Sequence, residues 1–205
     1  MRTFCKTPTF LVNTEPRSYT LLRSGTAAFS DQTLKTDLKR IELSAVGFRF
    51  CIVVSRWNDE ITAKLSAGAT EALIEAGAKP EHIQEFTVPG AFEVPVACLK
   101  AAQTGNYHAV IGLGVVIRGD TPHFDFVAGQ AAAGIMRASM DTGVPVMFGV
   151  ITVDTFEQAL ARSSEKADNK GYEAAQSAIE MAHTMLDLDE RNERFFKEQI
   201  LANVV

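Results

Sequence analysis

The sequence predicts an α/β fold in which an open sheet of four parallel strands is covered by helices on both faces. Three observations lead there. Short continuous apolar runs alternate with longer segments whose apolar residues recur at helical spacing. Glycines close those helical segments at Gly77, Gly105 and Gly143. A strand–helix alternation of this kind implies right-handed crossovers between parallel strands.

The elements follow in order. Phe50 to Ser55, reading FCIVVS, is a strand apolar throughout, as expected of one buried on both faces. Asn58 or Asp59 is placed to cap a helix whose Ile61, Leu65, Ala69, Ala72 and Leu73 share a face, with Pro80 just beyond Gly77. Ile83 to Val88 is the second strand and Phe92 to Thr104 the second helix. Ala109 to Ile117 is the third strand, followed by a long helix from about Phe124 to Thr142. Val144 to Val153 is the fourth strand. A helix from about Thr155 to Ser163 and a last one from Lys170 complete the pattern, the last with Ala175, Ile179, Ala182 and Leu186 on one side. Phe4 to Val12, or Ile41 to Ser44, is a candidate added N-terminal strand.

Composition narrows the function. The 205 residues are 46% hydrophobic and 22% charged, an ordinary globular balance suited to one domain with an appendage. The formal net charge of -5 argues against a nucleic-acid partner, which calls for a basic face. No apolar run has the length of a membrane span. Three widely spaced cysteines, Cys5, Cys51 and Cys98, fit free thiols in a reducing compartment, so the expected location is the cytoplasm. Residues 1–30 carry Arg2, Lys6, Arg17 and Arg23 against the single acid Glu15, a balance similar to a transit peptide. An organelle such as a plastid is therefore the alternative location. The histidines His82, His108, His123 and His183 show no metal-ligand spacing. The nucleotide and metalloprotease motifs GxGxxG, GxxxxGK[ST] and HExxH are absent, and no metal or cofactor is expected.

In open α/β sheets ligands bind beyond the carboxyl ends of the strands, so chemistry belongs in the loops that follow them. After the first strand stand Trp57, the only tryptophan, and Asn58. Trp57 either plugs a core edge or stacks on a heteroaromatic ring. After the second comes Pro89-Gly90-Ala91-Phe92-Glu93, with Glu93 at a helix start as a candidate acceptor for substrate hydroxyls. After the third comes Arg118-Gly119-Asp120-Thr121-Pro122-His123. The N–H groups of Gly119, Asp120 and Thr121 at a helix start suit a phosphate. His123 lies beside them, and histidine is the side chain that exchanges protons near neutral pH. After the fourth strand, Arg162 can clamp a phosphate through parallel hydrogen bonds, and Lys170 opens a helix where the dipole disfavours a cation.

Taken together and in order, Arg56-Trp57-Asn58, Val88 to Glu93, Val116-Ile117-Arg118-Gly119, His123-Phe124-Asp125, Phe148-Gly149-Val150 and Asn169-Lys170-Gly171 resemble the lumazine synthase family over about residues 46 to 187. The resemblance implies a flavodoxin-like three-layer α/β/α sandwich over residues 41–187, with an N-terminal extension before it and a helical tail at 188–205. It implies a cofactor-free condensation of 5-amino-6-ribitylaminouracil with 3,4-dihydroxy-2-butanone 4-phosphate in riboflavin biosynthesis. It also implies a homo-oligomer with active sites between subunits: a pentamer, with a sixty-subunit shell as the larger alternative and riboflavin synthase as a candidate partner.

By resemblance, Trp57 stacks on the pyrimidine, while Asn58, Ala91, Phe92 and Glu93 line the ribityl chain. The strand end at Val115, Val116 and Ile117 holds the pyrimidine edge. Gly119, Asp120 and Thr121 take the phosphate, and His123 transfers protons. Phe148, Arg162 and Lys170 come from the adjacent subunit, Arg162 to the phosphate and Lys170 to a pyrimidine carbonyl. The chain departs from the family pattern at Val115, Pro122, Ser164 and Asp168. Two rivals are a riboflavin synthase of the same fold, which has no use for a phosphate clamp at Arg162, and a non-catalytic lumazine- or flavin-binding or shell-forming protein.

Overall fold

A computed structural model describes residues 44–166 and 168–202. The elements run β1 (Phe50–Ser55), α1 (Asp59–Glu75), β2 (Ile83–Val88), α2 (Val94–Gln103), β3 (Ala109–Ile117), α3 (His123–Thr142), β4 (Val146–Val153), α4 (Phe156–Ala161) and α5 (Lys170–Ala202), with one 3-10 turn at Pro80–His82 before β2. The four strands are parallel, in the order β2-β1-β3-β4. This is the flavodoxin-like sandwich expected. The candidate N-terminal strand and the rest of the extension fall on residues 1–43, outside the described residues; Ser44 itself is irregular.

Strand alternation divides the core into two layers. Phe50, Ile52, Val54, Ile111, Leu113 and Val115 face one side, where they pack with Leu65 and Leu73 of α1 and Ala175, Ala178 and Ile179 of α5. Cys51, Val53, Val110, Val116 and Val150 face the other, against Val94 and Cys98 of α2 and Ile135 and Ala138 of α3. Two glycines set how closely elements within these layers approach. A Cβ at Gly112 would lie 2.9 Å from Val94 Cγ1, so α2 can sit directly on β3. One at Gly171 would lie 1.9 Å from the Leu65 carbonyl oxygen, so α5 crosses α1 at backbone distance.

Some boundaries differ from expectation. The helix expected from Phe92 begins at Val94, with residues 91–93 in a turn; Pro95, lacking an N–H, belongs at such a first turn. β4 begins at Val146 rather than Val144, because Gly143, at φ 71°, ends α3 in the left-handed region and Val144 and Pro145 are still leaving it. α5 continues without interruption past Asp187 to Ala202. The burial of the sheet is also uneven: β2 is an edge strand, exposed along Gln84 to Thr87.

Candidate active site

The carboxyl ends of β1, β2 and β3 bring most of the candidate residues together. The loops after β1 and β2 are laced by backbone bonds: Arg56 N–H donates to Val88 O at 2.8 Å and Trp57 N–H to Pro89 O at 3.2 Å. That sets Trp57 and Asn58 beside the Pro89–Glu93 turn. Trp57 is 72% exposed, so it plugs no core edge and its ring is open to a ligand. Phe92 is exposed as well.

Asn58 precedes α1 in the left-handed region at φ 61°, the sole non-glycine residue so placed among those described. Asparagine tolerates that conformation better than most residues. Its side chain does not cap the helix, as was expected of it or of Asp59. The helix start instead relies on the Asn58 carbonyl, which accepts from Ile61 and Thr62 N–H, while Asp59 Oδ1 accepts from Glu60 N–H. The Asn58 amide is thereby left for another task. Glu93 closes its own turn: Oε2 accepts from Gly90 N–H at 2.9 Å, which fixes the carboxylate over the Pro-Gly bend. Ala91 is buried, with its Cβ 3.5 Å from where a Cβ at Gly114 would stand, so it offers backbone to a ligand rather than side chain.

β3 supplies an open backbone edge. It pairs with β1 only as far as Val54↔Leu113, yet with β4 on to Ile117↔Val153. Val110 N–H donates to Pro145 O and Arg118 N–H to Val153 O, so even-numbered residues direct their N–H and C=O toward β4. The alternation of a strand then turns the Val115 carbonyl and both backbone groups of Ile117 to the β1 side, beyond Ser55, the last residue of β1. The Val115 and Val116 side chains are buried in opposite core layers. What this segment presents to a flat heterocycle is a donor–acceptor edge.

Beyond Ile117, Gly119, Asp120 and Thr121 are exposed, and a Cβ at Gly119 would meet nothing within 4 Å. Among the described residues their N–H groups make no hydrogen bond within the chain. They precede the start of the 20-residue α3, where free N–H groups suit an anion. His123 is the first residue of α3 and is exposed. Arg118, to which the sequence reading assigned no task, braces this loop. Its Nε donates to Asp154 Oδ1 at 3.0 Å, its Nη2 to Asp125 Oδ1 at 3.3 Å, and its guanidinium lies 4.0 Å over the Phe124 ring. Hydrogen bonds to Asp154 and then Asp125 raise its pKa further.

The remaining three candidates gather elsewhere. Phe148, Arg162 and Lys170 line one cleft of about 360 Å³ between β4 and α5, with Glu173 and Ser177 on its α5 wall. Neither Trp57 nor His123 lines it. Lys170 N–H donates to Arg162 O at 2.9 Å, and Arg162 Nη1 donates to Gln158 O at 3.1 Å. Lys170 Nζ pairs with Glu173, which offsets the unfavourable position of a cation at a helix start. The candidate residues of one chain thus fall into two groups, one at the ends of β1, β2 and β3 and one against β4.

Two further features escaped the sequence reading. Asn169 is buried and hydrogen-bonded on all sides, which only the packed α1–α5 contact reveals. On α3, Phe126, Gly129, Ala133, Met136 and Met140 are exposed at alternating spacings of three and four. That spacing is the seam of a coiled coil and was legible in the sequence.

The sequence model of the family described as 6,7-dimethyl-8-ribityllumazine synthase matches residues 47–186, roughly two thirds of the chain.

Proposed function

The chain belongs to the 6,7-dimethyl-8-ribityllumazine synthase family, and from that premise we propose that it condenses 5-amino-6-ribitylaminouracil with 3,4-dihydroxy-2-butanone 4-phosphate. The products are 6,7-dimethyl-8-ribityllumazine, phosphate and water. The observation that carries this reading is that residues 47–186 contain every candidate residue from Trp57 to Lys170, on one sheet end and one adjoining cleft.

Each step has a group suited to it. The exposed Trp57 face stacks on the pyrimidine, and the open edge at Val115 and Ile117 hydrogen-bonds its rim. Asn58, Phe92 and Glu93 receive the ribityl chain, whose hydroxyls can donate to the Glu93 carboxylate. The phosphate of the ketone sits on the Gly119–Thr121 N–H groups, with Arg162 opposite. The pyrimidine amine attacks the ketone carbonyl, and loss of water gives a Schiff base. Elimination then expels phosphate, and attack of the second nitrogen closes the ring with loss of water. His123 accepts and returns the protons. Holding two reactive substrates in contact supplies much of the rate.

The separation of the candidates into two groups on one chain supports a site shared between copies, with Phe148, Arg162 and Lys170 completing the pocket of a neighbour. The exposed α3 seam supports the same conclusion, because a stripe of Phe126, Met136 and Met140 facing water disfavours a monomer. We assign the assembly as a homo-oligomeric ring, a pentamer. The test is turnover: with both substrates the purified chain forms lumazine, followed by its absorbance, and tight pyrimidine binding without product would contradict the reading.

A further inference from the structure

Arg162 and Lys170 stand at the two ends of one loop, and the structure shows what holds that loop closed. Asn169 is 4% exposed. Its Nδ2 donates to Lys64 O of α1 at 3.0 Å and to Ser163 O at 3.2 Å. Its Oδ1 accepts from Gly171 N–H at 2.9 Å and Tyr172 N–H at 3.1 Å, which caps α5. Both donors and both acceptor sites of the amide are used, a set that no shorter or charged side chain supplies. The fit is tight: a Cβ at Gly68 would lie 2.5 Å from Asn169 Cγ. Directly beside this amide, Lys170 N–H meets Arg162 O at 2.9 Å.

We propose that Asn169 is a positioning residue, which fixes the separation of the Arg162 guanidinium from the Lys170 ammonium by tying both ends of their loop to α1. Asn169 touches neither substrate. It rests on the reading above, in which Arg162 meets the ketone phosphate and Lys170 the pyrimidine. Anion recognition by a guanidinium depends on directed, parallel hydrogen bonds, so a loop free to shift loses affinity before it loses fold.

The experiment compares Asn169→Ser and Asn169→Asp in the full-length assembly. Serine keeps an oxygen able to cap α5 but cannot reach the Lys64 and Ser163 carbonyls. Aspartate keeps the shape and sets a carboxylate oxygen against those carbonyls. The control is Ala178→Gly, which loosens the buried core between α1 and α5 away from the loop. Both Asn169 variants are expected to raise KM for each substrate about tenfold, and to weaken competitive inhibition by inorganic phosphate to the same extent, with kcat per folded chain changed less. The control lowers the melting temperature and leaves both KM values near wild type. Wild-type KM values and wild-type phosphate inhibition in Asn169→Ser would overturn the proposal. So would an equal rise in KM in the control at equal loss of stability. Failure of the underlying reading looks different, because the wild-type chain itself then makes no lumazine.

Discussion

The carboxylate of Asp125 accepts from the Arg118 guanidinium at 3.3 Å, one of two acidic partners that Arg118 holds beside the Gly119–Thr121 loop. Among the described residues no hydrogen bond or ion pair joins Asp125 to His123, although only one residue separates them. Proximity alone would pair Asp125 with the imidazole; its partner is instead Arg118, which braces the loop. Asp125→Asn is therefore expected to leave the pH profile of turnover in place while raising KM for the phosphorylated ketone. A displaced acid limb of that profile would assign Asp125 to His123 after all.

In the proposed reaction His123 and Arg162 separate chemistry from binding. His123→Ala is expected to slow turnover by roughly tenfold or more, since a positioned proton-transfer group contributes at least that much. Full activity in this variant would remove His123 from the mechanism. Arg162→Ala is expected to weaken use of the ketone phosphate by about tenfold to a thousandfold, with pyrimidine binding changed far less. An unaltered ketone response would leave the phosphate to the Gly119–Thr121 loop alone.

The α3 seam predicts the assembly. Met136→Glu places a charge in the middle of the exposed stripe and is expected to yield smaller species by light scattering, whereas wild type runs well above its 22.3 kDa chain mass. A wild-type monomer would contradict both the seam and the shared site.

The buried thiols predict a pH limit. Burial pushes Cys51 up to about 12, and it likewise raises Cys98, which the nearby Cys51 raises further. Both stay protonated in the fold and ionise near 9 once unfolded, so the unfolded state binds fewer protons above that pH. Their contribution to stability is complete below about pH 9 and declines as pH rises toward 12. Peptide mapping after iodoacetamide treatment at pH 8 should find Cys51 and Cys98 unmodified in native protein and modified in denaturant. Rapid alkylation of either in the native state would place it outside the core.

The strands were the most legible part of the molecule. β1, β2 and β3 span the residues expected of them: β1 and β3 are continuous apolar runs bounded by polar loops, and the mixed run of β2 is bounded by Pro80 and the Pro89-Gly90 turn. Helix ends were less legible where backbone geometry competes with side-chain preference. Asn58 reads as a cap, yet its left-handed conformation turns the amide away from that role. The loop residues at the sheet end could be listed from the sequence because topology alone brings strand ends together. Asn169 could not be assigned a task that way. Its partner at Lys64 lies 105 positions away, and such a bond exists only once α1 and α5 have packed.

The most direct test of the central claim is the stoichiometry of the reaction, with lumazine absorbance and released phosphate followed in the same sample. The account predicts one phosphate per lumazine throughout, with neither product when the pyrimidine or the phosphorylated ketone is left out. Lumazine binding without phosphate release, or phosphate release without lumazine, would contradict it.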